Sequence, residues 1–208
     1  MKLSHKLFLL LLISSLITKT NTAQTTWDTQ TLEKANTAKD INYLTNEEKL
    51  TIFYCNLARL NPSLFATTYA KKYIDSIGKN DSYTKSLLKT LKTTNSMQAF
   101  YPSQQLFEFA KELAIDFGKN GKIGHGNFKK RFSKYISECT CDVAENCDYG
   151  SDKALTIVMD LLIDENISDL GHRKNILNPE YKNSGVSIHQ HKKFRWNCVM
   201  DYSSAPKN

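Results

Sequence analysis

The chain has 208 residues, 40% of them hydrophobic, with 28 Lys and Arg against 21 Asp and Glu; that length suits one globular domain and leaves little for a second core. Only 8 Gly and 4 Pro occur, which excludes a collagenous or Pro/Gly low-complexity chain. The charge balance is mildly basic and, apart from Lys129, Lys130 and Arg131, the Lys are scattered with no Arg-and-aromatic stripe, so nucleic acid is not an expected partner.

At the start, Lys2 and Lys6 precede an apolar run from Leu7 to Ile13 that continues through Ser14 and Ser15 to Leu16 and Ile17. It is too short to cross ~30 Å of hydrocarbon and matches the core of a secretory signal peptide, here residues 1–23 with cleavage after Ala23 and Thr20 as the alternative. Its loss removes Lys2, Lys6 and Lys19 and no acid, lowering the formal charge from +7 to +4. The mature chain is therefore expected outside the cytoplasm, secreted or periplasmic, without a transmembrane anchor.

Residues 24–44 form a polar, Thr- and Asn-rich lead-in segment, and the domain proper is placed at 45–203. Thr45 and Glu48 have capping-box spacing, and Leu50, Phe53, Tyr54, Leu57 and Leu60 recur at three- and four-residue steps, which predicts an amphipathic helix stopped by Asn61-Pro62. Pro62 can open a second helix carrying Phe65, Tyr69, Tyr73, Ile74 and Ile77, and a third spans about 81–92. Ser103 caps a strong helix bearing Leu106, Phe109, Ala110, Leu113 and Phe117, which Gly118 is expected to end. The Gly-rich stretch 119–127 reads as an exposed loop.

A short basic helix follows at 128–136, its Lys129-Lys-Arg131 run read as a solvated face. A further helix, capped by Ser151 or Asp152, carries Leu155, Val158, Met159, Leu162 and Ile163. After the Asn178-Pro179 turn, residues 185–191 and 194–200 alternate like half-buried strands joined at Lys192-Lys193; His189 and His191 share one side and are read as exposed edge positions. Helices first and an antiparallel pair last define an α+β fold with a small antiparallel sheet covered by helices.

All five Cys, at 55, 139, 141, 147 and 198, lie past the signal segment. In an exported chain they read as disulfides with at least one thiol left over. The single residue between Cys139 and Cys141 strains a mutual bridge, so each is expected to have a distant partner.

Three segments place His and carboxylates in turn-like contexts: Gly124-His125-Gly126, Ala144-Glu145-Asn146, and Gly171-His172-Arg173 with Asp164 and Glu165 upstream. Two His and two acids suit a zinc site or a water-mediated acid/base site if folding gathers them. These segments, with Arg59-Leu-Asn-Pro62 and the run Gly171-His-Arg-Lys-Asn-Ile-Leu-Asn-Pro179 followed by Gly185-Val, resemble the motif series of the CAP superfamily (cysteine-rich secretory, SCP-like domains) in its bacterial secreted branch. The resemblance implies a three-layer α-β-α sandwich and a cleft where two His and two acids can hold zinc or another divalent cation. By motif these are His125, Glu145 and His172, with Glu165 as the second acid and Asp164 as its alternative. It also implies a binding module engaging a lipid, glycan or protein outside the cytoplasm. The alternatives are a zinc-dependent hydrolase with Glu145 taking the proton of a metal-bound water, and a purely structural tetrad. No Ser elbow, H-E-x-x-H or family Cys–His signature marks a nucleophile.

Overall fold

A computed structural model describes residues 26–206, and the signal segment 1–23 lies outside them. Within the polar lead-in, Asp28 caps a short helix, α1 (Thr29–Ala35), whose Ala35 is buried. The capping box at Thr45 and Glu48 then starts α2 (Asn46–Leu60). Pro62 opens α3 (Pro62–Phe65), but the expected single helix is interrupted by a π-helical turn, Ala66–Ala70, before α4 (Lys71–Ser76). Asp81 caps α5 (Ser82–Thr93), and a two-residue strand β1 (Tyr101–Pro102) precedes α6 (Gln104–Asn120). There follow α7 (Phe128–Cys139), β2 (Val143–Tyr149), α8 (Ala154–Ile163), α9 (Gly171–Ile176), β3 (Asn183–His191) and β4 (Arg195–Ser203).

The strands lie in the order β1-β3-β4-β2. The pairing β3/β4 is antiparallel, as expected; β2, a strand not anticipated from the sequence, pairs antiparallel with β4, while the short β1 runs parallel to β3. The β3–β4 turn includes Phe194 as well as the two Lys, because His191 pairs with Arg195, and Arg195 takes a left-handed backbone (φ 70°). On one face of the sheet, Cys147 and Val199 pack against Ala110, Leu113, Ala114 and Phe117 of α6. On the other, Val186, Cys198, Met200 and Tyr202 join the larger core built on α2 and α8. The result is a three-layer α-β-α sandwich, the fold class read from the sequence.

Gly118 does not end α6; the helix continues to Gly121, which adopts the left-handed cap (φ 65°). Gly118 instead permits close approach, since a Cβ there would lie 2.2 Å from the Gln190 carbonyl oxygen. Gly185 does the same from the strand side, where a Cβ would sit 2.1 Å from the Phe107 amide nitrogen. Two missing side chains thus let α6 lie directly on β3.

The opposite layer is fastened by Arg59 near the end of α2, which is fully buried. Its Nε donates to the Gln98 carbonyl (2.8 Å), Nη1 to those of Ile176 (2.7 Å) and Asn178 (2.9 Å), and Nη2 to that of Tyr181 (2.8 Å). The guanidinium lies 3.8 Å over the Phe100 ring. Burial lowers its pKa to about 10, so it remains charged near neutrality. The planar fork matches four carbonyls in a way an ammonium cannot.

The bridge expected to be strained is the one that forms: Cys139 and Cys141 are joined to each other, with Cα atoms 5.2 Å apart. Thr140, between them, adopts the left-handed conformation (φ 50°) and folds the chain back at the end of α7. Cys55, Cys147 and Cys198 are buried free thiols.

Two stability measurements check these packing arguments. Arg59→Lys leaves buried carbonyls unpaired and is expected to lower the unfolding free energy in urea by about 3 kcal/mol. Gly185→Ala is expected to cost about 3 kcal/mol through overpacking, because the obstructing atoms are backbone.

Candidate functional site

The first sequence-predicted pair meets at the sheet edge. His125 sits in the glycine-bearing loop between α6 and α7, where the Gly124 amide donates to the Tyr149 hydroxyl (2.9 Å). His125 Nδ1 lies 3.0 Å from Glu145 Oε1 on β2, and Arg131 of α7 donates to the other oxygen of Glu145. Arg131 also reaches the His125 carbonyl (3.2 Å). It is therefore not part of a solvated basic face but the clamp that orients the acid. The imidazole is half exposed while the Glu145 side chain is buried.

Cys147, two residues along β2, points to the same face. Its Sγ lies 3.3 Å from the Gly124 carbonyl, 3.8 Å from His125 Nδ1 and 3.9 Å from Glu145 Oε1. Burial, reinforced by the charges of Glu145 and Asp201, holds this thiol well above its ordinary pKa. Asp201 pairs with Glu145 across β2 and β4. It is fully buried, and burial, together with the charge of Glu145 and a side-chain hydrogen bond to it, pushes its pKa far up.

The second pair is His172 with Asp164. His172 Nδ1 lies 2.7 Å from Asp164 Oδ1, and the Asp164 Oδ2 accepts from the Arg173 amide (3.1 Å). Glu165, the preferred second acid, lines the same cavity as His172 but is bonded to Lys79 rather than to the imidazole. The physical reason is the end of α8: Asp164 is its left-handed cap (φ 58°), which directs Asp164 inward and Glu165 outward. Asn146 fastens the pair to β2, donating to the His172 carbonyl (3.0 Å) and the Tyr202 hydroxyl (3.1 Å) and accepting from Asn175 Nδ2 (2.8 Å). Arg173 is buried, with Nε on the Leu162 carbonyl (2.6 Å) and Nη2 on that of Ile163 (2.8 Å).

Residues alternate along a strand. Glu145 and Cys147 face α6 and α7, whereas Asn146 and Asp148 face α8 and α9. The four expected ligands therefore form two His–acid pairs rather than one cluster. Among the described residues, the one group of three or more His, Cys, Asp or Glu with ligand atoms within 4.8 Å of each other is His125, Glu145 and Cys147. His125 and Glu145 were legible in the sequence; Cys147, Arg131 and Asp201 were not, although the period of two from Glu145 to Cys147 was an available signal. His191, expected at an exposed edge, is buried. Its Nε2 faces the Lys122 carbonyl (2.8 Å) while Nδ1 accepts the Lys193 and Phe194 amides.

A three-layer sandwich with two His–carboxylate pairs flanking its edge strand defines a class of α+β domain. The sequence matches the Cysteine-rich secretory protein family (CAP) over residues 54–202, and the chain belongs to that family. Two solved structures are similar to it. An outer surface protein from Borrelia burgdorferi has 19% identity and a TM-score of 0.44, covering 66% of this chain and 96% of its own. An extracellular protein containing a SCP domain from Bacillus anthracis has 17% identity and a TM-score of 0.44, covering 60% of this chain and 39% of its own. No curated protein matches the chain. No described helix is long and apolar enough to cross a membrane.

Asp148 gives a testable pH dependence. Burial, and secondarily the charge of Asp160, raise its pKa to about 7. The folded state then holds this proton more tightly than the unfolded chain. The group's contribution to stability is complete below about pH 4 and is lost as pH rises through about 7. Unfolding in urea at pH 4, 6 and 8 is expected to show Asp148→Asn gaining on the wild type progressively with pH.

Proposed function

We propose that the chain is an exported CAP-domain binding module that takes a divalent cation, zinc first, at His125, Glu145 and Cys147, and engages an extracellular lipid, glycan or protein ligand beside it. The observation that carries this reading is the convergence of an imidazole nitrogen, a carboxylate oxygen and a thiol sulfur, 3.0 to 3.9 Å apart. Ligands around one tetrahedral zinc lie ~3.3–3.7 Å from each other, given bonds of about 2.0–2.3 Å, so the donor set fits the ion. Binding would displace the thiol proton. Zinc when bound would supply a Lewis-acid centre for a ligand oxygen or carboxylate.

Binding is favoured over hydrolysis because Glu145, the candidate base, is already engaged on one oxygen by Arg131 and would give the other to the ion. The His172–Asp164 pair is read as structural. Its bonds to Arg173 and Asn146 tie the end of α8, the start of α9 and β2 together.

Cobalt(II) titration tests the assignment. The mature chain is expected to bind one equivalent and develop a thiolate-to-cobalt absorption band. Cys147→Ser should abolish the band, His125→Ala should weaken binding by about tenfold or more, and His172→Ala should leave both intact. Equal affinity in His125→Ala and the wild type would overturn the site.

A further inference from the structure

A cavity of about 250 Å³ lies between β2, α8 and the segment after α4, beside His172 and with Cys147 of β2 also on its wall. Its charges are unbalanced. Four carboxylates, Asp148, Asp160, Asp164 and Glu165, line it together with Lys79 and His172. Asp164 is committed to His172 and Glu165 to Lys79. Asp148 and Asp160 have no ion-pair partner among the described residues.

Asp148 is the deeper of the two, only 8% exposed. Its Oδ2 is buried without any hydrogen-bond partner. Asp160 is exposed, with Oδ1 3.3 Å from the Tyr73 hydroxyl. A buried acceptor with no donor is costly unless a donor completes it, and the second acid beside it shares the charge of Lys79, which is bonded to Glu165.

The geometry disfavours a bare metal ion. No three ligand atoms drawn from this cavity's acids and His172 come within 4.8 Å of one another, whereas calcium asks for six to eight oxygens. The walls also offer apolar surface, for Ile77 and Ile167 line the cavity and remain 42% and 37% exposed. The complementary ligand therefore has a cationic end and an aliphatic stem. A guanidinium fork matches paired carboxylate oxygens, but Asp148 presents a single orphaned one, which a compact ammonium with three donors suits better.

We propose that this cavity binds a primary alkylammonium group, its stem along Ile77 and Ile167 and its nitrogen donating to the Asp148 carboxyl, with Asp160 supplying negative charge beside it. Small amines and the side chain of lysine share this chemistry. The inference does not rest on a metal at His125.

Calorimetric titration of the mature chain with pentylamine, pentanol and Nα-acetyl-lysine amide is the test. Both amines should bind saturably, and pentanol about tenfold more weakly or not at all. Tighter binding of the lysine derivative than of pentylamine would point to a protein side chain as the source, and the reverse to a small amine. Asp148→Asn and Asp160→Asn should each weaken amine binding by about tenfold while leaving the cobalt band of Cys147 unchanged. Asp160 is exposed, so its variant decides the matter even if Asp148→Asn fails to fold. Pentanol binding as well as pentylamine, or amine affinity unchanged in Asp160→Asn, would overturn the proposal without touching the metal reading.

Discussion

One buried cation, Arg59, fixes how the helical layer meets the turn before β3. It has no carboxylate partner; its charge is met by four carbonyl dipoles, one at Gln98 and three from the stretch 176–181, and by the face of Phe100. A buried charge is tolerable only when its donors are met in this way. Because two of the carbonyls belong to Ile176 and Asn178, the guanidinium anchors the end of α9 to α2. His172 lies one turn earlier on α9, so its position is inherited from a contact made far from it in sequence.

The sheet contributes a different constraint. β2 is an edge strand, and its two-residue period divides the chemistry between the faces. Glu145 and Cys147 look toward His125 and Arg131, while Asn146 and Asp148 look toward α8 and α9. The two imidazoles consequently serve different surroundings. One stands half exposed beside a thiol and a clamped carboxylate, and the other braces the end of α8 and walls an acidic hollow. A motif series that reads as one four-residue centre builds two adjoining environments, each with its own polar imbalance. Asp201 and Asp148 carry those imbalances as buried carboxyl groups lacking full hydrogen bonding.

Much of the architecture was readable from local signals. The capping box at Thr45 and Glu48, the N-cap at Ser103 and the alternating 185–191 and 194–200 segments all emerged as expected, since each rests on short-range geometry. Gly118 misled because a glycine in a helix serves equally as a stop or as a contact point, and the Gln190 backbone pressing on it comes from a distant part of the chain. Asp164 and Glu165 could not be separated by motif, because the left-handed backbone at the end of α8 decides which one turns inward. Arg131 looked like one charge in a solvated run until the fold brought Glu145 beneath it. The thiol at 147 became informative only beside His125, and the 139–141 bridge only through the backbone of Thr140.

That bridge has a consequence for how the protein matures. A crosslink between residues two apart encloses almost no chain, so it removes little entropy from the unfolded ensemble. The three remaining thiols sit unoxidised inside the structure. Folding is thus carried by packing and by Arg59 rather than by oxidation, and the domain should reach its native state in a reducing cytosol as readily as beyond the membrane.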